Sequence, residues 1–318
     1  KFLNGNFVKF RYLTYLAMMK FRNSQIKTAF ALGGGGARGI AHIGVIKALG
    51  EAGIKPELLV GTSMGAIIGA IYAQTQDAEM VENRLRKFFQ SKDYAEMGLK
   101  NYRRNPEKNS FFGNFARRLE GRIVINLSYS QMSIFKQENF RKALDYLIDG
   151  GIIERLPIRF AAVAGDLNSG EKVVMDSGDI QIAVLASSSI PGFLPPVEYG
   201  SWLLTDGEAA DLVPCETAKE LGARFVIGVD VGQGLLPCPP LDNAFDVIFR
   251  TGHIKSHQLT VRMMKSADVI IRPKVDQFHW TQFDQIKPLV EAGYEAGALA
   301  ANEIRNKLKL KKWMFWKK

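Results

Sequence analysis

The stretch Gly61-Thr62-Ser63-Met64-Gly65 places a serine between two glycines. It closes one apolar run, "ELLVGTS" (57–63), and opens another, "MGAIIGAIYAQ" (64–74), so it reads as a strand-to-helix junction. At such a turn the serine hydroxyl stands out at the C-terminal edge of a sheet, and glycines on either side relieve crowding. The same position also suits an ordinary helix N-cap. A second stretch bears on the choice. Gly33 to Gly36, followed by Ala37-Arg38-Gly39, joins the apolar "KTAFAL" (27–32) to the helical pattern "IAHIGVIKALGEAG" (40–53), with Gly53 as its C-cap. Gly34, Gly36 and Gly39 form G-x-G-x-x-G, the pattern of a dinucleotide-binding turn. That fold needs an acid at the end of the second strand, where this chain has Gly-Thr-Ser. A phosphate loop needs Gly-Lys-Ser or Gly-Lys-Thr, which Gly-Ala-Arg-Gly lacks. Backbone N–H groups at a helix N-terminus, with no Cβ in the way, suit instead the oxyanion formed when a serine attacks an ester.

A serine hydroxyl needs a base. The histidines are His42, His253, His257 and His279, and the last three follow Ser63 in the order a Ser–Asp–His triad requires. His253 and His257 lie four residues apart in a long helical stretch, where surface or packing roles are the simpler reading. A carboxylate alternative is Asp206, which ends the apolar run "SWLLTDG" (201–207) beside Gly207. An Asp-Gly pair also makes tight turns.

Taken together, these residues resemble the patatin-like phospholipase family. Gly34-Gly35-Gly36-Ala37-Arg38-Gly39 is similar to its oxyanion loop, Gly61 to Gly65 to its nucleophile elbow, and Asp206-Gly207 to its aspartate motif. "ASSSIPGFLPPV" (186–197) resembles the segment preceding that aspartate. The bacterial, neuropathy-target-esterase-like branch is nearest, because Gly33 stands where plant patatins carry an aspartate. The resemblance spans about residues 27–230 and implies a three-layer α/β fold, a mainly parallel sheet flanked by helices. It further implies a Ser63–Asp206 dyad without histidine, with Gly35 and Gly36, together with Gly34 or Met64, as oxyanion donors. Arg38 would brace the loop or meet a lipid phosphate, and so is a candidate substrate-binding residue. Glu208 departs from the family's small residue after Asp-Gly; the expectation is that it faces solvent or a basic group, while a place beside Asp206 would raise the pair's pKa.

The elements that must position these residues alternate strand and helix, as in a parallel α/β sheet. After "DAEMVENRLRKFFQ" (77–90), an amphipathic helix, residues 91–138 read as an insertion or lid. A hairpin follows at 158–178, then a helix at 179–188, strands at 201–207 and 224–231, a helix near 242–265, a strand at 267–273 and a closing helix at about 288–307. The expected organisation is a segment 1–26, a catalytic domain 27–303 and a tail 304–318.

Charge divides the chain the same way. Residues 1–50 hold eight Lys or Arg and no acid, and seven more basic residues follow Glu303, again with no acid. Of 42 Lys and Arg that leaves 27 between 51 and 303, against all 32 acidic residues. Both basic ends carry aromatics, a composition suited to an anionic membrane surface. An acidic centre without a nucleic-acid motif argues against nucleic acid as a partner. Cys215 and Cys238 form no disulfide framework, which favours a reducing, cytoplasmic setting with peripheral membrane association. No metal or other cofactor is called for. The leading expectation is a phospholipase A or lysophospholipase type hydrolase acting on phospholipid or lysophospholipid, with homodimerisation left open. The alternatives are a membrane-binding scaffold with an idle hydrolase core, or a triad esterase or thioesterase.

Overall fold

The computed structural model describes residues 28–96, 133, 135–235, 237–238, 240–241 and 244–316. Its centre is a sheet of eight strands: β1 (Thr28–Leu32), β2 (Leu58–Thr62), β3 (Arg159–Asp166), β4 (Lys172–Met175), β5 (Val197–Tyr199), β6 (Trp202–Asp206), β7 (Phe225–Val229) and β8 (Val269–Ile271). β1 is flanked in parallel by β2 and β7, β2 pairs in parallel with β3, and β8 pairs in parallel with β7. Every residue of β1, β2 and β7 is buried, as expected of apolar strands covered on both faces. β1 is where the order turns, with β2 on one side and β7 on the other. Crevices at the C-terminal ends of strands around such a switch point are where open α/β sheets bind ligands.

The antiparallel strands are arranged around β3. Val163 pairs with Thr62 on one side and Val174 on the other, whereas Ala164 pairs with Val173 and Asp206. A residue in a sheet has two edges, so β6 must take over from β2 along the same edge of β3. β2 runs up this edge and stops at Thr62; β6 runs down it and stops at Asp206. Their C-terminal ends therefore meet.

Helices cover both faces: α1 (Ala41–Glu51), α2 (Met64–Thr75), α3 (Ala78–Gln90), α4 (Lys92–Glu96), α5 (Gln137–Leu147), α6 (Ile180–Ser187), α7 (Cys215–Glu220), α8 (Ala244–Met263) and α9 (Ile286–Trp316). α2 is buried from Met64 to Ala73, which explains why its sequence lacks a polar face. α1 and α9 cross closely: a Cβ on Gly44 would strike the Val290 carbonyl, and one on Gly293 the Ala41 carbonyl. α3 starts at Asp77, whose carboxylate accepts from the Glu79 and Met80 N–H groups.

The expected strands and helices of the core all form, with three differences. β5, α4, α5 and α7 are short or isolated in pattern and were not anticipated. Residues 97–132 and 134 of the expected insertion, and the basic segment 1–26, lie outside the described residues. The closing helix is longer than its apolar periodicity suggested, and the expected boundary at 304 falls inside it. It is held there by packing and charge: Leu308 packs on the core, and Lys311 Nζ binds the Arg224 carbonyl at 2.7 Å and pairs with Asp268.

Candidate functional site

Ser63 sits between β2 and α2 with φ 54° and ψ −123°, a conformation that L-residues rarely adopt. Its neighbours make the turn feasible. A Cβ on Gly61 would lie 2.5 Å from the Ala66 backbone nitrogen, and one on Gly65 would run into the Leu32 carbonyl. The Ser63 N–H is shared between the Ser187 carbonyl (3.2 Å) and hydroxyl (3.1 Å), and the Ser188 hydroxyl donates to the Ser63 carbonyl at 3.3 Å. The Ser189 carbonyl in turn accepts the Asp206 N–H at 2.9 Å and the Thr205 hydroxyl at 3.0 Å. The three serines at the end of α6, Ser187 to Ser189, thus brace the ends of β2 and β6 against each other. Their presence was visible in the sequence, but nothing in three consecutive serines announces that role.

The glycine loop lies beside the serine, a hypothetical Cβ on Gly34 falling 3.2 Å from the Ser63 Cβ. Its groups are individually anchored. The Gly33 N–H donates to the Val229 carbonyl and that of Gly34 to the Leu212 carbonyl, both at 3.0 Å, and the Ala37 N–H donates to the Trp280 carbonyl at 2.7 Å. Gly34 was expected among the oxyanion donors; its N–H is already committed to Leu212. Among the described residues, the Gly35, Gly36 and Met64 N–H groups have no such partner, and the latter two open a 3-10 turn (Gly36–Ile40) and α2 respectively. Gly36 takes φ +56°, and a Cβ there would sit 2.6 Å from the Trp280 carbonyl.

Two side chains orient this loop from behind. His42, fully buried, donates from Nε2 to the Gly33 carbonyl at 2.7 Å, which fixes Nδ1 as the unprotonated nitrogen. Burial holds its pKa down at about 4, against the help of that hydrogen bond, so it stays neutral. Arg38 donates from Nε to the Gly35 carbonyl at 3.4 Å and is itself buried. Burial lowers its pKa, while Glu208, Asp276 and Asp230 act in the opposite direction. The Gly35 contact is the loop-bracing one of the two roles expected for Arg38.

Asp206 is buried at the end of β6 and accepts the Glu208 N–H at 2.8 Å. Burial pushes its pKa up to about 7, and the Glu208 charge adds to the rise; hydrogen bonds from the Glu208 backbone and the Ser63 side chain pull it back. Glu208 is exposed by area, yet protein surrounds its carboxyl closely enough for desolvation to raise its pKa, with Arg38 lowering it. Glu208 thus lies at the surface, as expected, and its charge also adds to the rise at Asp206, the alternative considered from the sequence.

Residues beyond the motifs complete the site. The Thr62 hydroxyl donates to the Asp211 carbonyl at 2.7 Å, next to Leu212, so this short segment ties down both the elbow and the glycine loop. Trp280 packs edge-on against Phe193 with centroids 5.1 Å apart, and Phe193 stacks on Phe135 at 6.2 Å. These rings form an apolar wall beginning at Gly36. The sequence carried no periodic or motif signal for Trp280, which sits in an irregular loop. Among the described residues no cluster of His, Cys, Asp and Glu is placed to hold a metal ion, and no helix is long and apolar enough to cross a membrane.

Ser63 on its strained elbow, the glycine loop beside it and Asp206 at a converging strand end thus form one cluster within an α/β fold. The chain belongs to the patatin-like phospholipase family, whose model matches residues 30–219. It is 29% identical over 300 residues to patatin-like phospholipase domain-containing protein ZK370.4 of Caenorhabditis elegans, a match covering 86% of this chain and 20% of that protein. It is 28% identical over 296 residues to human patatin-like phospholipase domain-containing protein 6, covering 85% and 20%. Lysophospholipase NTE1 of Debaryomyces hansenii is 26% identical over 293 residues, covering 83% and 17%. The chain thus spans about a fifth of the length of these relatives.

Proposed function

We propose that this chain is a serine lipid acyl hydrolase that cleaves fatty acyl esters of phospholipids or lysophospholipids, with Ser63 as nucleophile and Asp206 as base. The observation that carries the reading is the buried Asp206 carboxyl, raised to about 7, at the end of a strand that meets the end of β2 next to Ser63. A carboxylate with its ordinary pKa of about 4 is a weak base for a hydroxyl. One raised towards neutrality is much better matched to the task.

Ser63 Oγ attacks the acyl carbonyl carbon as its proton passes to Asp206. The carbonyl oxygen becomes an oxyanion facing the Gly35, Gly36 and Met64 N–H groups. Each such donor contributes on the order of 3 kcal/mol to the transition state. Collapse breaks the ester bond, and Asp206 returns the proton to the departing alcohol. Water, deprotonated by Asp206, then attacks the acyl-serine, releasing the fatty acid and restoring the Ser63 hydroxyl. The wall of Trp280, Phe193 and Phe135 supplies apolar surface for an acyl chain. The names of relatives such as lysophospholipase NTE1 agree with this substrate class.

The test is acyl release from a panel of phospholipids, lysophospholipids and short-chain reporter esters by wild type, Ser63→Ala and Asp206→Asn, each verified as folded. Activity lost in both variants supports the dyad. A folded wild type that releases nothing from any ester would favour an idle core. Retained activity in Asp206→Asn, lost instead on replacing His253 or His257, would favour a triad.

A further inference from the structure

α8 is sparsely covered over much of its described length. It packs on the body mainly at its C-terminal end, where Thr260 and the following Met264 are buried. Along the rest of its length large apolar side chains face outward: Ile248 is 62% exposed and Val247 50%, and Ile254, Leu259 and Val261 are also exposed. Leaving such residues in water gains nothing for folding, and a grouped set of them marks a surface made to be covered.

The pattern indicates what covers it. Val247, Ile254 and Val261 recur every seven residues and form one row along the helix. A partner helix would need a second apolar row three or four residues on, but those positions hold Arg250 and Thr251, then His257 and Gln258. Charge points the same way. From Val247 to Ser266 the chain carries Arg250, Lys255, Arg262 and Lys265 and not one acidic residue, although the chain between 51 and 303 is acidic overall. Lys255 and Arg262 are exposed and each directly follows a member of the apolar row. Long cationic side chains beside inserted aliphatic ones fit a bilayer surface, where the stems lie along the acyl boundary and the charges reach lipid phosphates.

The helix is also well placed for such a role. It leaves the sheet after β7, whose continuation at Val231 presents its carbonyl 2.9 Å from a hypothetical Cβ on Gly35. The connection to α8 exposes Leu235 and Leu241 as well. The chain therefore leaves β7 beside the glycine loop before it reaches α8.

We propose that the exposed face of α8 docks the protein on an anionic lipid bilayer, lying in the plane of the interface with Val247, Ile254 and Val261 inserted and Lys255 and Arg262 at the phosphates. This rests on the hydrolase reading only for its purpose; docking itself is independent of turnover. It also differs from the expectation drawn from the basic aromatic ends, since it assigns membrane contact to the catalytic domain.

The experiment is co-sedimentation of the full chain with phosphatidylcholine vesicles, with and without phosphatidylserine, for wild type, V247S/I254S/V261S and K255Q/R262Q. Release from a water-soluble short-chain ester is measured in parallel. The apolar variant is expected to lose about tenfold or more in partitioning to both vesicle types. The charge variant should lose the preference for phosphatidylserine, each cation contributing roughly fivefold. Hydrolysis of the soluble ester should be unchanged in both. Full vesicle binding by both variants would overturn the proposal. So would a wild-type dimer in light scattering that the apolar variant dissociates, because the face would then belong to a second copy. A wild type that binds vesicles through α8 but cleaves no ester would instead remove the hydrolase reading and leave docking intact.

Discussion

Thr62 and Asp206 take consecutive partners, Val163 and Ala164, along a single edge of β3. This tip-to-tip meeting brings Ser63 and Asp206 together without any loop reaching across the site. It leaves no slack: a Cβ on Gly207 would strike the Val163 carbonyl and lie 3.0 Å from the Thr62 methyl. Gly207→Ala is therefore expected to separate the strand ends and reduce kcat by about 10²-fold, the usual consequence of misplacement near 1 Å. Steady-state kinetics on a soluble ester, with a melting curve to confirm folding, checks it. Undiminished kcat would show that the junction yields without disturbing the pair.

The raised Asp206 predicts an acid limb in the pH–rate profile near 7, with activity rising as pH increases through it. Glu208→Gln removes the like charge but keeps the backbone N–H that binds Asp206, so the limb should move to lower pH. It should remain well above 3.8, because burial is the larger cause. The limb belongs to the coupled pair rather than to Asp206 alone. A limb that does not move in Glu208→Gln would refute the coupling.

His42 and Asp206 each cost stability, at opposite ends of the pH range. A carboxyl raised from 3.8 to about 7 adds a folding cost that is absent at low pH and complete above about 7. A histidine lowered from 6.5 to about 4 adds a cost that is absent above 6.5 and grows as pH falls towards 4. Each pKa unit corresponds to about 1.4 kcal/mol. His42→Gln keeps an N–H for the Gly33 carbonyl but does not titrate, so its stability should fall less than wild type between pH 6.5 and 4. Denaturant melts at several pH values measure this, and parallel curves would contradict it.

The strained Ser63 backbone separates the two simplest inactive variants. Ser63→Ala keeps the φ of 54°, whereas Ser63→Gly adopts it freely. Both should lack acyl release. Ser63→Gly should be the more stable by about 1 kcal/mol, the lower end of what a strained φ costs. Equal stability would mean that the elbow stores little strain.

The motif residues were legible because each has a local reason for its type. Gly61 and Gly65 must be glycine for the turn around Ser63 to close, and Gly36 must be glycine to pass the Trp280 carbonyl. The parallel strands were legible for a similar reason, since burial on both faces leaves a continuous apolar run. What could not be read is whatever depends on distant neighbours. That Gly34 donates to Leu212 follows from packing of segments far apart in the chain. β6 was found as a strand, but its place on the edge shared with β2 depends on pairing register, which composition does not encode. The exposed face of α8 was likewise hidden, because its apolar residues look in sequence like those of a packed helix.

The bond from Ala37 to the Trp280 carbonyl bears on the order in which the site is assembled during synthesis. Asp206 follows Ser63 by 143 residues, and Trp280 follows Asp206 by 74 more. Until Trp280 has been added, the Ala37 N–H lacks the carbonyl to which it donates in the folded protein. A growing chain that already holds Ser63 and Asp206 therefore has a glycine loop without this anchor.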